Sequence, residues 1–253
     1  MKQIRIELEL ERRFPINKLA VGFHGALMAI LNEDDADFLH QQIVNPYAQS
    51  VVKNGDKIEW IVSLNTPYIE EILESTLLDT QLNEVYLKSL NTIVKFKNKE
   101  VENRTIKDLS KIYYSNRPVY QINLKFNTAT AFKQNGIFYP FPDIRLIIQS
   151  LMNKYNELFE TTEPIDPDFL EVLTNSIKID YFNIVSDKFS IHNAEVKGFK
   201  GLVSLRLYGN QTLKNYLLML LNFAEYSGIG VKTSLGMGNV TISQIQEWRK
   251  VNG

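Results

Sequence analysis

The sequence predicts an α+β protein built from two tandem βαββαβ modules, and three observations carry that expectation. Strict apolar alternation opens each half: Ile4, Ile6, Leu8 and Leu10 share one face over residues 3–12, and Tyr120, Ile122, Leu124 and Phe126 share one over 119–126. Such alternation marks a strand buried on one side. Helical spacing follows each of these strands and returns before the last strand of each half. Finally, a glycine-rich segment, Gly228-Ile229-Gly230-Val231-Lys232-Thr233-Ser234-Leu235-Gly236-Met237-Gly238, separates the last helix from the last strand.

In the first half, Leu19, Phe23, Leu27, Ile30 and Leu31 define a helix after Phe14-Pro15. The acidic run 32–35 ends it, and a short second helix runs through Phe38-Leu39-His40. Strands are expected at 47–52 and 57–63, a helix at 67–78, and strand-like runs at 84–90 and 92–97. This order is the ferredoxin-like split βαβ unit. The second half repeats it, with a strand at 119–126, helices at 143–159 and 167–177, and strands at 177–184, 189–199 and 201–208. Leu217, Leu220, Leu221 and Ala224 mark a helix over 213–226, and a strand over 239–245 closes the chain. The modules join near Ser115-Asn116-Arg117-Pro118, giving domains 1–116 and 117–253. No Gly/Ser-rich linker marks that join, so a single mixed α+β domain is the alternative reading.

A chain of 253 residues, 44% hydrophobic and 23% charged, has the composition of an ordinary globular protein with a core that needs no staples. Without cysteine it has no disulfide, thiolate metal site or cysteine nucleophile. Met1-Lys2-Gln3-Ile4-Arg5-Ile6-Glu7 alternates charge with apolar residues and so does not read as a signal peptide. No run approaches the roughly 20 apolar residues of a membrane span, and the expected location is cytoplasmic with no membrane partner. The net charge of −1 hides an asymmetry: eight Lys or Arg stand against three Glu from Lys188 onward. The glycine segment lies in this cationic part.

Glycine permits positive φ and lets backbone N–H groups approach a phosphate, whereas an ordinary turn needs only one or two glycines. Four of the chain's 12 glycines fall between 228 and 238, which points to an anion or backbone contact, with a structural turn as the competing reading. Rossmann fingerprints and P-loops place their glycines after a strand and before a helix, the reverse of the order here. There is also no Gly-x-Gly-x-x-Gly, and Lys232 does not follow a glycine. No nucleotide cofactor is expected.

The three histidines are His24, His40 and His192. None is spaced to share a zinc ion with another, and no Gly-x-Ser-x-Gly elbow exists, so metal-free acid–base chemistry remains. His40, at the end of the short helix before Asn45-Pro46, reads as an exposed catalytic candidate or an incidental surface group. His24, at the edge of the first helix's apolar stripe, reads as catalytic or as a partly buried structural group, and His192 as an edge or loop residue. Tyr47, Tyr139 and Tyr155 read as packing residues, although aromatic rings can also stack on bases.

The spacing Gly228-x-Gly230, five residues, Gly236-x-Gly238 resembles the C-terminal glycine-rich motif of the Cas-six family, the CRISPR-associated endoribonucleases that cut repeat RNA. Phe126-Asn127-Thr128-Ala129-Thr130-Ala131-Phe132-Lys133, then Phe138-Tyr139-Pro140-Phe141-Pro142 and the helix through Gln149-Ser150-Leu151, resemble the start of that family's second domain. Pro15-Ile16-Asn17 resembles the start of its first helix, and Leu39-His40 its Leu-His pair.

The resemblance implies two tandem ferredoxin-like (RNA-recognition-like, βαββαβ) domains. It also implies metal-independent cleavage of precursor CRISPR RNA by 2′-hydroxyl attack, leaving a 2′,3′-cyclic phosphate and a 5′-hydroxyl. By the same resemblance His40 takes the catalytic histidine's place, and His24 stands where the family has a tyrosine. The family's lysine falls at Asn45-Pro46, which leaves Lys53, Lys232 or Lys133 to supply the cation. Gly228, Gly230, Lys232, Ser234, Gly236, Gly238 and Lys133 are the expected RNA contacts, with the acid–base groups lying far from the loop in the first domain. The implied partners are CRISPR repeat RNA and, transiently, an effector complex, with the protein a monomer or homodimer. A non-catalytic RNA-binding subunit of an effector complex, and a binding module unrelated to RNA, are the alternatives.

Overall fold

The computed structural model describes residues 1–159, 164–191 and 194–247; His192 lies outside them. The first half contains β1 (Lys2–Glu9), α1 (Ile16–Ile30), α2 (Glu33–Gln41), β2 (Tyr47–Asn54), β3 (Lys57–Leu64), α3 (Pro67–Leu78), β4 (Glu84–Leu87) and β5 (Thr92–Asn103). Its sheet runs β2-β3-β1-β5-β4, the ferredoxin-like order with β4 added at one edge. Alternation places Ile4, Ile6 and Leu8 on the face that α1 and α3 cover through Leu19, Phe23, Leu27, Ile69 and Leu73. Phe23 stacks on Trp60 of β3 at 4.2 Å between ring centroids, which fixes the rotation of α1 and so the side from which its neighbour His24 projects.

After α4 (Ile106–Tyr113), whose Leu109 packs into the second core, the chain forms β6 (Val119–Thr130), the hairpin β7 (Phe132–Gln134) and β8 (Ile137–Tyr139), and α5 (Ile144–Phe159). It continues through α6 (Pro167–Asn175), β9 (Ile177–Ile191), β10 (Ala194–Leu207), α7 (Gln211–Ser227) and β11 (Val240–Glu247). The second sheet, β11-β6-β10-β9, repeats the ferredoxin-like order, so the fold is α+β with two such units in tandem.

Two expectations need correction. The three strands expected over 177–208 are two long ones, because nothing between Val185 and Lys188 breaks an extended chain. Gly201, at φ +129, is a bulge in the β10–β6 register where a Cβ would lie 2.3 Å from the Asn183 carbonyl oxygen, and it does not end a strand. The hairpin of β7 and β8 and the helix α4 were not expected. The Asn135-Gly136 turn marks the hairpin, but strands of three residues are too short to carry a period.

The two units are tied together at the end of α7. Gln3 donates to the Glu225 carbonyl (3.0 Å), Tyr226 Oη to Glu102 (2.9 Å) and Asn65 to the Tyr226 carbonyl (3.4 Å). Ala129, Ala131, Phe189, Ile191 and Met237 of the second half are buried in the core of the first.

Candidate catalytic centre and nucleic-acid interface

The glycine loop lies directly on α1 and β2. Gln49, buried in β2, donates from its backbone to the Thr233 carbonyl (3.0 Å). Its side chain donates to the carbonyls of Ser234 (3.1 Å) and Ala20 (2.9 Å) and accepts from Trp60 Nε1 (3.0 Å). Gly236, at φ +116, passes so close to α1 that a Cβ would stand 2.4 Å from that of Ala20. Gly228, Gly230 and Gly238 also have positive φ and meet neighbouring backbone or loop atoms too closely for a Cβ. Their N–H groups donate within the protein, to the Ala224 carbonyl (2.9 Å), Ser150 Oγ (2.9 Å) and the Ala129 carbonyl (3.0 Å). The glycines therefore serve close packing, and these three donors are already taken.

Packing the loop on β2 brings two expected site residues together through a third. Ser234, 8% exposed, hydrogen-bonds the hydroxyl of Tyr47, which is 1% exposed, and that hydroxyl lies 2.8 Å from His24 Nδ1. Burial pushes the Tyr47 hydroxyl well above its ordinary value, so it stays protonated near neutral pH. Asn45 Nδ2 donates to Ser234 Oγ (3.4 Å), so the two hydroxyls and the imidazole form one polar cluster whose proton directions follow the protonation of His24. The loop and His24, far apart in the sequence reading, are thus joined by two hydrogen bonds.

The other expected residues are distributed around this centre. His40 is exposed on the last turn of α2 and has no hydrogen bond or ion pair among the described residues; five residues on, Asn45 reaches the loop. Lys232 is exposed on the loop at φ +58, and Lys133 lies over the Phe138 ring in the β7–β8 hairpin. Lys53 sits six residues from Tyr47 along β2, about 20 Å at the rise of an extended strand. It is therefore remote from the His24–Tyr47 pair. Instead it lines a cleft of about 540 Å³ between the two units, together with Asn17, Lys125, Asn127, Lys188 and Lys200. Lys188 and Lys200 pair with Glu195 (3.1 Å) and Asp187 (3.0 Å), while Lys53 and Lys125 have no ion pair among the described residues.

A second cleft, about 460 Å³, opens on the other side of the loop between Val44, Lys133, Asn135, Gln149, Asn153 and Gly230. Lys154 lies at its floor, only 7% exposed, with Nζ donating to the carbonyls of Ser227 (3.1 Å) and Gly228 (3.0 Å) and to Thr233 Oγ1 (3.3 Å). Burial pushes its amine down to about 7. The sequence does carry a signal for it: Lys154 falls on the apolar stripe Ile147, Leu151, Leu158 of α5, where a cation is out of place.

A family model described as CRISPR-associated endoribonuclease Cas6 matches residues 124–240. The chain is 39% identical over 232 residues to the CRISPR-associated endoribonuclease Cas6 of Streptococcus thermophilus, covering 91% of this chain and 93% of that one. This chain belongs to the Cas6 family. The Cas6 of Mycobacterium tuberculosis is 29% identical over 247 residues, covering 95% of this chain and 78% of that protein. Among solved structures, a Cas6 product complex superposes with a TM-score of 0.77 at 23% identity, covering 96% of this chain and 100% of that one. At that identity the superposition speaks to fold, and it agrees with the tandem ferredoxin-like arrangement described above. The matched segment 124–240 holds the later part of β6, the β7–β8 hairpin, α5 and the whole glycine loop, but neither His24 nor His40. No helix among the described residues is long and apolar enough to cross a membrane.

Proposed function

We propose that this Cas6 family member cuts CRISPR repeat RNA to release guide RNAs, without a metal ion, by attack of a ribose 2′-hydroxyl on the adjacent phosphate. The O2′–P bond forms, the P–O5′ bond breaks, and the products carry a 2′,3′-cyclic phosphate and a 5′-hydroxyl. His40 takes the 2′-hydroxyl proton, and His24, entering as an imidazolium whose Nδ1–H donates to Tyr47 Oη, gives its Nε2 proton to the departing 5′-oxygen and is left as the neutral ring. The observation that carries the reading is the hydrogen-bond chain Asn45–Ser234–Tyr47–His24, since it holds an imidazole in one orientation beside the loop.

Lys232 and Lys133 bring positive charge to the phosphate, and Ser234 with Gly228, Gly230, Gly236 and Gly238 shapes the loop that the RNA backbone follows. Lys53 and Lys125 line a track along which single-stranded RNA leaves the centre. Residues 1–116 then carry the acid–base groups and 117–253 the grip on RNA. The test is cleavage of repeat RNA in EDTA beside a substrate with a 2′-deoxy scissile nucleotide. Cleavage of the natural RNA alone, lost in His40→Ala with binding retained, is expected. Cleavage of the deoxy substrate, a strict need for magnesium, or binding without cleavage by the unaltered protein would each overturn the reading.

A further inference from the structure

The buried lysine of α5 has no part in the proposed chemistry, yet it bridges the two arms of the glycine loop. Two of its acceptors, the carbonyls of Ser227 and Gly228, are at the C-terminal end of α7, where helix carbonyls lack intrahelical partners and carry partial negative charge. The third, Thr233 Oγ1, stands on the returning arm. In its protonated form the amine has three N–H donors, one for each of these oxygens. From the opposite side Gln49 holds Thr233 and Ser234 by their carbonyls. Thr233 is therefore gripped from both domains, and the next residue supplies the hydroxyl that orients Tyr47 and, through it, His24.

We infer that Lys154 is a positioning residue for RNA cleavage: by fastening Thr233 to the end of α7 it sets Ser234 beneath Tyr47 and thereby fixes the ring of His24. The inference rests on the reading of His24 as the proton donor. Lys154 acts from beneath the loop, so its loss changes the rate at saturating RNA and leaves affinity nearly unaltered. Such a residue is also non-additive with the group it positions, because once His24 is gone there is nothing left to align.

The experiment is a cycle of single-turnover cleavage rates on repeat RNA for the unaltered protein, Lys154→Met, His24→Ala and the double variant, with dissociation constants measured for each. Lys154→Met is expected to cleave about 10- to 100-fold more slowly, a range set by the sensitivity of catalysis to displacements near 1 Å. Its RNA affinity should stay within about threefold, and the double variant should be no slower than His24→Ala. In the protein without RNA, nitrogen-15 spectra of the histidine rings should show the His24 signals displaced in Lys154→Met while those of His40 stay in place, a local change that lost stability alone does not produce. If Lys154→Met does not fold, Thr233→Val removes the hydroxyl and leaves the amine, and the same non-additivity is expected. Wild-type rates in Lys154→Met, or in Thr233→Val where that variant stands in for it, would overturn the inference. So would the full slowing of the single variant reappearing on top of His24→Ala. A wild-type rate in His24→Ala has a different meaning: the histidine assignment itself fails, and the inference goes with it.

Discussion

Replacing Gly236 with alanine tests whether the glycine loop is shaped by protein packing or by its ligand. The new Cβ would lie 2.4 Å from the Cβ of Ala20, with the Phe189 ring at 3.3 Å blocking retreat. Carbon atoms pack at about 3.5–4.0 Å, so loop and α1 must part by roughly 1–1.5 Å. Overpacking of this kind costs about 1–3 kcal/mol, and the left-handed backbone at φ +116 adds roughly 1–2 kcal/mol for a residue with a side chain. A total near 2–5 kcal/mol corresponds to a melting temperature lower by about 4–10 °C for a chain of this size. The displacement falls two residues from Ser234, so its bond to Tyr47 breaks and cleavage slows by about 100-fold. Gly25→Ala is the control, for a Cβ there meets nothing within 4 Å and the site is inside α1, where alanine gains about 0.5–1 kcal/mol. Thermal melting and single-turnover cleavage read both effects. A Gly236→Ala protein that melts with the wild type but loses RNA affinity would refute the packing account and return the glycine to the ligand.

Three further outcomes follow from the same geometry. If His24 protonates the leaving oxygen, an RNA with sulfur at the bridging 5′ position needs no acid, so it should restore cleavage to His24→Ala and leave His40→Ala slow; equal rescue of both removes the distinction between them. Gln49→Leu leaves Trp60 Nε1 and the Ser234 carbonyl without their partner and should lower stability by about 2–4 kcal/mol in urea unfolding, whereas a loss below about 0.5 kcal/mol would mean that water replaces the amide. The Lys154 amine releases its proton at about 7 when folded and near 10.5 when unfolded, so between these values the unfolded chain holds the extra proton and stability from this group rises with pH. Relative to Lys154→Met, the wild type should therefore gain stability between pH 7 and 9.5, by about 3 kcal/mol at 1.36 kcal/mol per pH unit, and a constant difference would show that the amine keeps its proton throughout.

Much of the fold is legible in the chain because its cues are local. Alternation over β1 and the start of β6, and the stripes of α1, α3 and α7, come from side chains a few residues apart. The β9–β10 hairpin is harder to read, since Gly201 looks like a break in the sequence and becomes a bulge only in the register of β10 with β6, with the Asn183 carbonyl of β9 pressed against it. The candidate site divides along the same line. His24, His40 and the loop stand out as residue types, but Ser234 is bonded to Asn45 across 189 positions, and no periodicity encodes such a pairing. Tyr47 reads as a packing residue for the same reason: it is buried, and its polar end finds both partners outside its own strand. Lys154 is visible as a cation on an apolar stripe, while the three oxygens that accept from it depend on how α7 ends.

The grip of Gln49 on Thr233 and Ser234 also bears on how the protein is made. Synthesis runs from the N-terminus, so β2 and both described histidines leave the ribosome long before the residues that Gln49 and Tyr47 await. Until position 234 has emerged and docked, Tyr47 has no serine above it and the His24 ring lacks its tie to the loop. A nascent or truncated chain therefore carries its histidines without their alignment, and ribonuclease competence arrives only when synthesis is nearly complete.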